Sequence, residues 1–167
     1  MEAKDMQLRS AGPEDIEKLV RLRLDFFTAV GDHLPPAEEE QLAKSLRDYY
    51  ARNLGLNFFA FLIEADEKIV ASAFMLLVDR PPSPAVPSGL TAQVLNVLTC
   101  PGYRRLGLGL RLISRLIEEA RRLNVSRIDL SATPDGEKLY RRLGFGEQNH
   151  HTPLQLSLTG GRHEPRA

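Results

Sequence analysis

The sequence predicts a mixed α/β (α+β) domain, a sheet flanked by helices, and three observations favour this class. Segments with helical periodicity alternate with segments of strand type along the 167 residues. The strand–helix–strand order in residues 91–132 predicts two parallel strands joined by a helix. Hydrophobic residues make up 43 % of the chain and charged residues 26 %, the balance of an ordinary globular protein. This length suits one domain, which we expect to span residues 1–158.

The N-terminal half is predicted to contain a strand, two helices and a hairpin. Residues 6–10 alternate like a short strand, and a proline followed by two acidic residues begins a helix over 12–27. The stretch GDHLPP interrupts the helical pattern, which resumes over 37–53. Residues 57–78 are predicted to form two strands around a tight turn at Ala65–Lys68.

The C-terminal half begins with a proline-rich stretch, residues 79–89, which predicts an exposed and irregular connection. The predicted elements that follow are a strand over 91–99, a helix from Leu106 to Leu123, a strand over 126–132, a helix over 135–145 and a last strand over 152–158. Asn124 and Gly144 are expected to end the two helices in the left-handed region. Residues 159–167 are expected to form a flexible tail.

The long helix is predicted to have one apolar and one charged face. The apolar residues expected to share a face are Leu106, Leu110, Ile113, Ile117 and Ala120. Glu119 is expected to lie away from that face. Glu118 and Arg122 have the favourable spacing of an acid four residues before a base.

Charge and hydropathy exclude several classes of partner. Lys plus Arg and Asp plus Glu are both 22, and this balance argues against a nucleic-acid binder. The longest apolar stretch, residues 69–78, is too short to span a bilayer, and the N-terminus resembles no signal peptide. A single cysteine, Cys100, forms no internal disulfide, and no spaced cluster of ligands suggests a metal. We therefore expect a cytoplasmic protein with no nucleic-acid or membrane partner and no metal.

Residues 102–109, GYRRLGLG, combine positive charge, glycine and a helix start. A helix N-terminus leaves backbone N–H groups unpaired and carries partial positive charge. Gly107 and Gly109 let a ligand approach the backbone, and Arg104 and Arg105 add fixed charge. These features favour a phosphate or pyrophosphate site at the carboxyl end of a strand. A tight turn with solvated arginines remains the alternative, and neither a P-loop nor a dinucleotide glycine pattern is present.

Three separated motifs resemble those of the GCN5-related N-acetyltransferases. The segment CPGYRRLGLGLRLISRLIEEA closely resembles the family's motif A, Arg/Gln-x-x-Gly-x-Gly/Ala, which falls on Arg104, Gly107 and Gly109. LRSAGPEDIEKL at 8–19 resembles the family's opening strand and helix, and LYRRLGF at 139–145 its C-terminal motif. The motifs occur in the family's order, and the resemblance spans most of the chain from residue 6 to residue 158.

The resemblance implies a mostly antiparallel sheet whose central parallel pair splays apart, with acetyl-CoA in the splay. The residues implied to hold the pyrophosphate through their amides, with Arg104 at the signature position, are Arg105, Leu106, Gly107, Leu108, Gly109 and Leu110. The pantetheine arm is implied to pair with the backbone of Val97, Leu98 and Thr99, with a backbone N–H near Leu98 polarising the thioester carbonyl.

The activity implied by the resemblance is direct transfer of the acetyl group from acetyl-CoA, as co-substrate, to a primary amine of a small molecule or a protein. A homodimer is a possible assembly. A non-catalytic acyl-CoA-binding or regulatory module on the same fold is the alternative. The acidic run AEEE at 37–40 favours a cationic acceptor, although acidic residues are also typical of a helix's first turn.

The chemistry needs a proton donor for the leaving thiolate and a proton acceptor for the amine. Tyr140 matches the family's proton-donating tyrosine, and packing of a buried ring is the alternative for it. The general base is not evident, because the strand over 91–99 has no carboxylate. Its polar residues are Gln93, Asn96 and Thr99, of which Asn96 is our second catalytic candidate, suited to ordering water. More distant candidates for the base are Asp32, His33 and Asp79.

Overall fold

The computed structural model describes residues 6–147 and 156–158. Its helices and strands are β1 (Gln7–Ser10), α1 (Ile16–Ala29), α2 (Pro36–Asn53), β2 (Phe58–Ala65), β3 (Lys68–Asp79), β4 (Leu90–Thr99), α3 (Leu108–Arg122), β5 (Arg127–Asp129) and α4 (Pro134–Arg142). Two 3₁₀ turns precede α1 and α3, at Pro13–Asp15 and Pro101–Tyr103. Of the last predicted strand, residues 152–155 lie outside the described residues, and 156–158 are exposed and form no strand. The predicted tail, 159–167, lies outside the described residues too.

The five strands form one sheet in the order β1-β2-β3-β4-β5. The first three pairs of neighbours are antiparallel, and β4 and β5 are parallel. The sheet is therefore mixed and mostly antiparallel, as predicted. The hairpin turn is confirmed as well, because Ala65 pairs with Lys68 and the two residues between them have positive φ.

Helices cover both faces of the sheet. On one face, Leu112 and Leu116 of α3 are buried in a cluster that includes Met75 of β3. On the other face, Leu19 of α1 is buried in a second cluster with Phe74. Burying each such side chain stabilises the fold by roughly 1.5–3 kcal/mol. Since β4 lies between these two layers, a ligand can approach its backbone only from an end or from an unpaired edge.

The buried face of α3 agrees with the predicted one in part, because Ile113 and Ala120 are buried and Ile117 packs against the same cluster. Leu108, Leu112 and Leu116 form the buried row, whereas Leu106 is 37 % exposed and Leu110 is half-buried. The helix begins at Leu108, so Leu106 precedes it in irregular backbone. Leucines occur on more than one side of this segment, and periodicity alone therefore misplaced the first two residues of the predicted face.

Glu119 is also placed differently from the prediction, since it is buried with only 6 % exposure. Its carboxylate accepts hydrogen bonds from Arg115 at 3.0 Å and from Arg122 Nε at 2.9 Å. The Arg115 guanidinium also lies 5.3 Å from the centre of the Phe61 ring. Arg122 thus pairs with Glu119 rather than with Glu118. The contact of Arg115 with Phe61 of β2 joins this charged group to the sheet.

An ion pair with a buried carboxylate joins β1 to the turn that precedes α1. The Arg9 guanidinium donates to both carboxylate oxygens of Asp15, at 2.7 and 2.8 Å, and to Glu64 on β2 at 2.6 Å. Asp15 also accepts from the Gly12 backbone N–H at 2.9 Å and is 1 % exposed. The hydrogen bond from Arg9 is the main cause that lowers the pKa of Asp15 to about 2.

We expect Asp15→Asn to lower the free energy of unfolding at neutral pH by about 2 kcal/mol. The folded-state pKa of Asp15 lies below its unfolded value of 3.8, so the contribution is full above that value and is lost as the pH falls through about 2. Urea unfolding at pH 7 and at pH 3 measures the effect, and at pH 3 about half of the difference should remain. Asp25→Asn, in an exposed pair with Arg21, is the control and should change little. A difference independent of pH would contradict the ion-pair origin.

The proline-rich connection between β3 and β4 is more ordered than predicted. The Arg80 N–H donates to the Gly89 carbonyl at 2.8 Å, which extends the hairpin beyond the two strands. Ser83 and Val86 bond to each other through both backbone N–H groups, and Val86 is buried. Residues 80–89 are therefore a folded extension of the hairpin. No helix among the described residues has the length and hydropathy needed to cross a membrane.

Candidate active site

β4 contains a bulge at Asn96 that the sequence analysis missed. Ser72 pairs with Leu98 while Phe74 pairs with Leu95, so β4 has one more residue than β3 over this stretch. Asn96 occupies the left-handed region with φ of 53°, which asparagine tolerates better than most residues. The Ser72 hydroxyl donates to the Asn96 carbonyl at 3.4 Å. An asparagine within a strand pattern is the available signal for such a bulge.

The bulge reverses the alternation of side chains along β4. Leu95 packs in the cluster under α1, whereas Val97 packs in the cluster under α3. In a regular strand these two residues would share a face. The Asn96 side chain consequently points to α1, where its Nδ2 donates to the Leu22 carbonyl at 3.4 Å.

Asn96 also leaves one polar atom unpaired. The residue is 0 % exposed, and its Oδ1 is the buried side-chain atom that lacks a hydrogen-bond partner within the described part of the chain. A buried acceptor without a partner costs about 1–3 kcal/mol. The cost occurs at the bulge, and buried unsatisfied groups in native structures often have a functional explanation.

A gap opens between the two parallel strands after the first residues of β4. β5 pairs with β4 only from Thr91–Arg127 to Gln93–Asp129. Beyond Gln93, β4 continues to Thr99 with no β5 neighbour among the residues described. The backbone of Val97, Leu98 and Thr99 therefore has one unpaired edge. An extended ligand can pair with this edge in the manner of an added strand.

The backbone that leads from β4 into α3 forms a cradle, which we define as residues 105–110. Arg105 and Gly107 both have positive φ, 62° and 76°. Left-handed residues that alternate with ordinary ones turn successive N–H groups to the same side and make an anion-binding concavity. The helix that follows adds its N-terminal dipole.

The N–H groups of the cradle have no partners among the residues that the structure describes. Among the described residues, no backbone hydrogen bond uses an N–H of residues 105–110, and the first bond of this region is from Arg111 to the Gly107 carbonyl at 3.1 Å. No side chain caps α3. Six consecutive donors at the positive end of a helix fit a diphosphate, which offers several charged acceptor oxygens.

The two motif glycines have different surroundings. A Cβ on Gly107 would meet no atom within 4 Å, so the space above it is open to a ligand. A Cβ on Gly109 would lie 3.1 Å from Cδ2 of Leu139 on α4. Gly109 therefore permits a close approach of α4 to the first turn of α3, in addition to any role toward a ligand.

Arg104, which precedes the cradle, and Arg105, its first residue, differ in their contacts. Arg104 is exposed, and its Nε donates to the Thr99 carbonyl at 3.3 Å, which holds the guanidinium near the end of β4. Arg105 is exposed without an ion pair in the described part of the chain. Both charges are thus available to an anion at the entrance to the gap.

Tyr140 lies on α4, next to the residue that contacts Gly109. Its ring is 7 % exposed and packs edge-to-face against Phe145, with ring centres 5.8 Å apart. Gly144 ends α4 with φ of 94°, as predicted, and the Phe145 N–H donates back to the Tyr140 carbonyl at 3.1 Å. Burial raises the pKa of the Tyr140 phenol. The hydroxyl makes no hydrogen bond to the residues described here, so its proton remains available.

Candidate bases are scattered. Asp79 pairs with Leu90 at the beginning of β4, about 20 Å along the strand from the bulge. Gln93 is exposed and forms the last residue pair between β4 and β5, with Asp129. Asp32 and His33 lie in the connection between α1 and α2. Over residues 6–147 and 156–158, no three His, Cys, Asp or Glu residues are grouped as a metal site.

The comparisons with known proteins agree with this geometry. The model of the acetyltransferase (GNAT) family matches residues 16–145. A predicted acetyltransferase with acetyl-CoA from Clostridium acetobutylicum has a TM-score of 0.76 and 25 % identity, over 90 % of this chain and 96 % of that one. A GCN5-related N-acetyltransferase from Ralstonia eutropha has a TM-score of 0.74 and 23 % identity, over 90 % of this chain and 98 % of that one.

A curated relative supports the same family over a shorter stretch. The uncharacterized N-acetyltransferase ycf52 of Pyropia yezoensis is 38 % identical over 58 residues, which are 35 % of this chain and 33 % of that protein. The match thus spans about a third of the relative's length. The match to the family model, in contrast, begins at the first residue of α1 and ends three residues after α4. The chain belongs to the acetyltransferase (GNAT) family, whose activity is acetyl transfer.

Proposed function

We propose that the protein is an acetyl-CoA-dependent N-acetyltransferase that transfers the acetyl group directly to a primary amine. The observation that carries this proposal is the cradle, whose six N–H groups have no partner in the described part of the chain and lie beside the open edge of β4. The cradle would hold the pyrophosphate, and the edge formed by residues 97–99 would pair with the pantetheine arm. When bound, acetyl-CoA would supply the acetyl group as a thioester.

Separate groups of the protein would then stabilise the oxyanion, protonate the thiolate and position the amine. A backbone N–H near Leu98 would stabilise the negative charge that develops on the thioester carbonyl oxygen. Tyr140 keeps its proton at neutral pH, because burial raises its pKa, and donates it to the leaving thiolate. Asn96 orders the amine or a water molecule at the bulge, since an amide is too weak a base to accept the proton. Proton transfer from the amine is assigned to water.

Turnover of acetyl-CoA against a panel of primary amines tests the proposal. Calorimetric titration with acetyl-CoA provides the second measurement, because it reports binding whether or not an acceptor is present. Turnover with at least one amine supports the enzyme. Tight binding without turnover of any amine would instead identify a non-catalytic acyl-CoA-binding module.

We expect Arg104→Ala and Arg105→Ala to raise the KM for acetyl-CoA more than they lower kcat. Each guanidinium adds attraction for phosphate without touching the reacting atoms, so its loss weakens binding in the ground and transition states alike. A rise of about threefold to tenfold corresponds to one exposed charge contact. Steady-state kinetics with varied acetyl-CoA measure it.

Arg121→Ala is the matched control for both variants. Arg121 is exposed in the last turn of α3, whereas Arg104 and Arg105 precede the first turn of that helix. A loss caused by the net charge of the protein would appear in all three variants. Unchanged kinetics in the Arg104 and Arg105 variants would remove these arginines from the coenzyme site.

A further inference from the structure

The side chain of Tyr140 lies back along α4, toward the start of that helix. In an α-helix each side chain leans toward the N-terminus, over the residue that comes one turn earlier. For Tyr140 this residue is Gly136. A Cβ on Gly136 would lie 3.1 Å from Cε2 of the tyrosine ring and 3.8 Å from Cδ2. The outer part of the ring therefore lies closest to Gly136.

The position of the ring determines where the hydroxyl lies. Cε2 is bonded to the ring carbon that carries the hydroxyl, so the hydroxyl lies near Gly136, in the first turn of α4. That turn follows the carboxyl end of β5, and the last residue of β5, Asp129, forms the final pair with β4. The ring thus carries the hydroxyl to the end of α4 that lies nearer the gap between the two strands.

Glycine at position 136 is not explained by the backbone of α4. Glycine is the poorest helix former after proline, and Gly136 does not have the positive φ that would favour it. Its N–H donates to Oγ1 of Thr133 at 3.3 Å, a hydrogen bond that any residue except proline can make. The property that this position uses is therefore the missing side chain, and the ring of Tyr140 occupies the space.

The ring of Tyr140 has little freedom to move away from Gly136. It is 7 % exposed, and it packs against Phe145 with an angle of 74° between the two ring planes. A contact of 3.1 Å between two carbon atoms is shorter than their optimal separation of about 3.5–4.0 Å. A larger residue at position 136 must therefore displace the ring or the helix that carries it.

We propose that Gly136 is a positioning residue for the proton donor, because the absence of a side chain lets the Tyr140 ring lie over the first turn of α4 and places its hydroxyl at the leaving thiolate. This inference rests on the proposed function, in which Tyr140 protonates that thiolate. Gly136 has no side chain that could take part in the chemistry, and it acts through the tyrosine. A larger residue at this position should slow the chemical step and leave the binding of acetyl-CoA at the cradle unchanged.

Steady-state kinetics of Gly136→Val test the inference. We expect kcat to fall about tenfold to hundredfold, the usual cost of misplacing a reacting group by about 1 Å, with the KM for acetyl-CoA unchanged. Gly136→Ala should keep most of the rate, because one carbon displaces the ring by only a few tenths of an ångström. The control, Lys138→Val, introduces the same residue at an exposed position of α4 and should turn over normally. A normal kcat in Gly136→Val, or an equal loss in Lys138→Val, overturns the inference.

The double variant Gly136→Val/Tyr140→Phe tests whether Gly136 acts through the tyrosine. Once the hydroxyl is absent, displacing the ring has no proton donor left to misplace, so the second substitution should cause no further loss of kcat. The same fold loss from Gly136→Val with and without the hydroxyl would show that Gly136 acts independently of Tyr140. That result overturns the positioning role.

Nuclear magnetic resonance of the protein without acetyl-CoA or acceptor separates this inference from the proposed function. The contact between the ring protons of Tyr140 and Phe145 reports where the tyrosine ring lies. Loss of this contact in Gly136→Val, with the contact kept in Lys138→Val, supports the positioning of the ring even where no amine is acetylated, in which case the proposed activity fails alone. An unchanged contact in Gly136→Val overturns the inference and leaves the activity intact.

Discussion

Replacing Tyr140 with phenylalanine is expected to lower kcat on the order of 10²–10⁴-fold, the usual contribution of a general acid. The variant keeps the ring and its edge-to-face packing on Phe145 and deletes only the hydroxyl. Because this hydroxyl has no hydrogen-bond partner among the described residues, its removal leaves no group unpaired. We therefore expect the melting temperature and the affinity for acetyl-CoA to change little. Steady-state rates, a melting curve and a calorimetric titration measure the three quantities.

Tyr49→Phe is the control for this variant. Tyr49 is half-buried on α2 among aromatic rings, and burial raises the pKa of its phenol in the same way. It lies on the face of the sheet away from the cradle. Normal turnover in Tyr49→Phe with collapsed turnover in Tyr140→Phe would assign the proton donor. Retained turnover in Tyr140→Phe, with lower stability, would make Tyr140 a packing residue.

The second large effect is expected at the cradle. Gly107→Val should weaken acetyl-CoA binding about tenfold to hundredfold, which corresponds to the loss of one or two charge-assisted backbone hydrogen bonds. A side chain at φ of 76° strains the backbone by about 1–2 kcal/mol and projects into the space left open for the ligand. Calorimetric titration of the folded variant measures the affinity.

The chain contains a closely matched control for that strain. Gly55 has φ of 80°, and a Cβ there would also meet no atom within 4 Å, but the residue lies in the turn between α2 and β2. Gly55→Val should lose similar stability and bind acetyl-CoA normally. Equal loss of binding in the two variants would attribute the effect to stability and argue against the cradle. We prefer Gly107 to Gly109 for this test, because a side chain on Gly109 would also displace Leu139.

Local sequence patterns were sufficient for most of the helices and strands between residues 6 and 145 and for the turn that leads into α3. Gly107 lies in the segment that the sequence singled out, and its φ of 76° is a conformation that glycine adopts without steric cost. Asn124 and Gly144 end their helices in the same region, as predicted. These features depend on the conformational freedom of single residues and on hydrogen bonds over a few positions, which is why they can be recognised without tertiary structure.

Features that depend on neighbouring elements were not predictable in the same way. The buried leucines of α3 are set by where the helix begins and by which side meets the sheet, so periodicity predicted Ile113 and Ala120 correctly but not Leu106 and Leu110. Glu119 is buried and pairs with both Arg115 and Arg122. The neighbouring Glu118 also lies within helical pairing distance of the same two arginines along the sequence. Neither result follows from spacing alone.

The sequence by itself determined the alternation of helices and strands, the parallel strand–helix–strand unit and the glycine-arginine segment at the helix start, because each depends on local periodicity and backbone preference. The resemblance to the family implied the mostly antiparallel sheet and its splayed parallel pair. Only the tertiary structure decided the bulge at Asn96, the place where the gap beside β4 begins and the approach of Tyr140 to the cradle. The bulge is a mismatch in register between β3 and β4, and the gap results from the short pairing of β5. Tyr140 is brought close because α4 packs on Gly109 through Leu139, 30 residues farther along the chain. Side-chain packing and strand pairing between distant segments determine these contacts, and the local sequence pattern does not specify them.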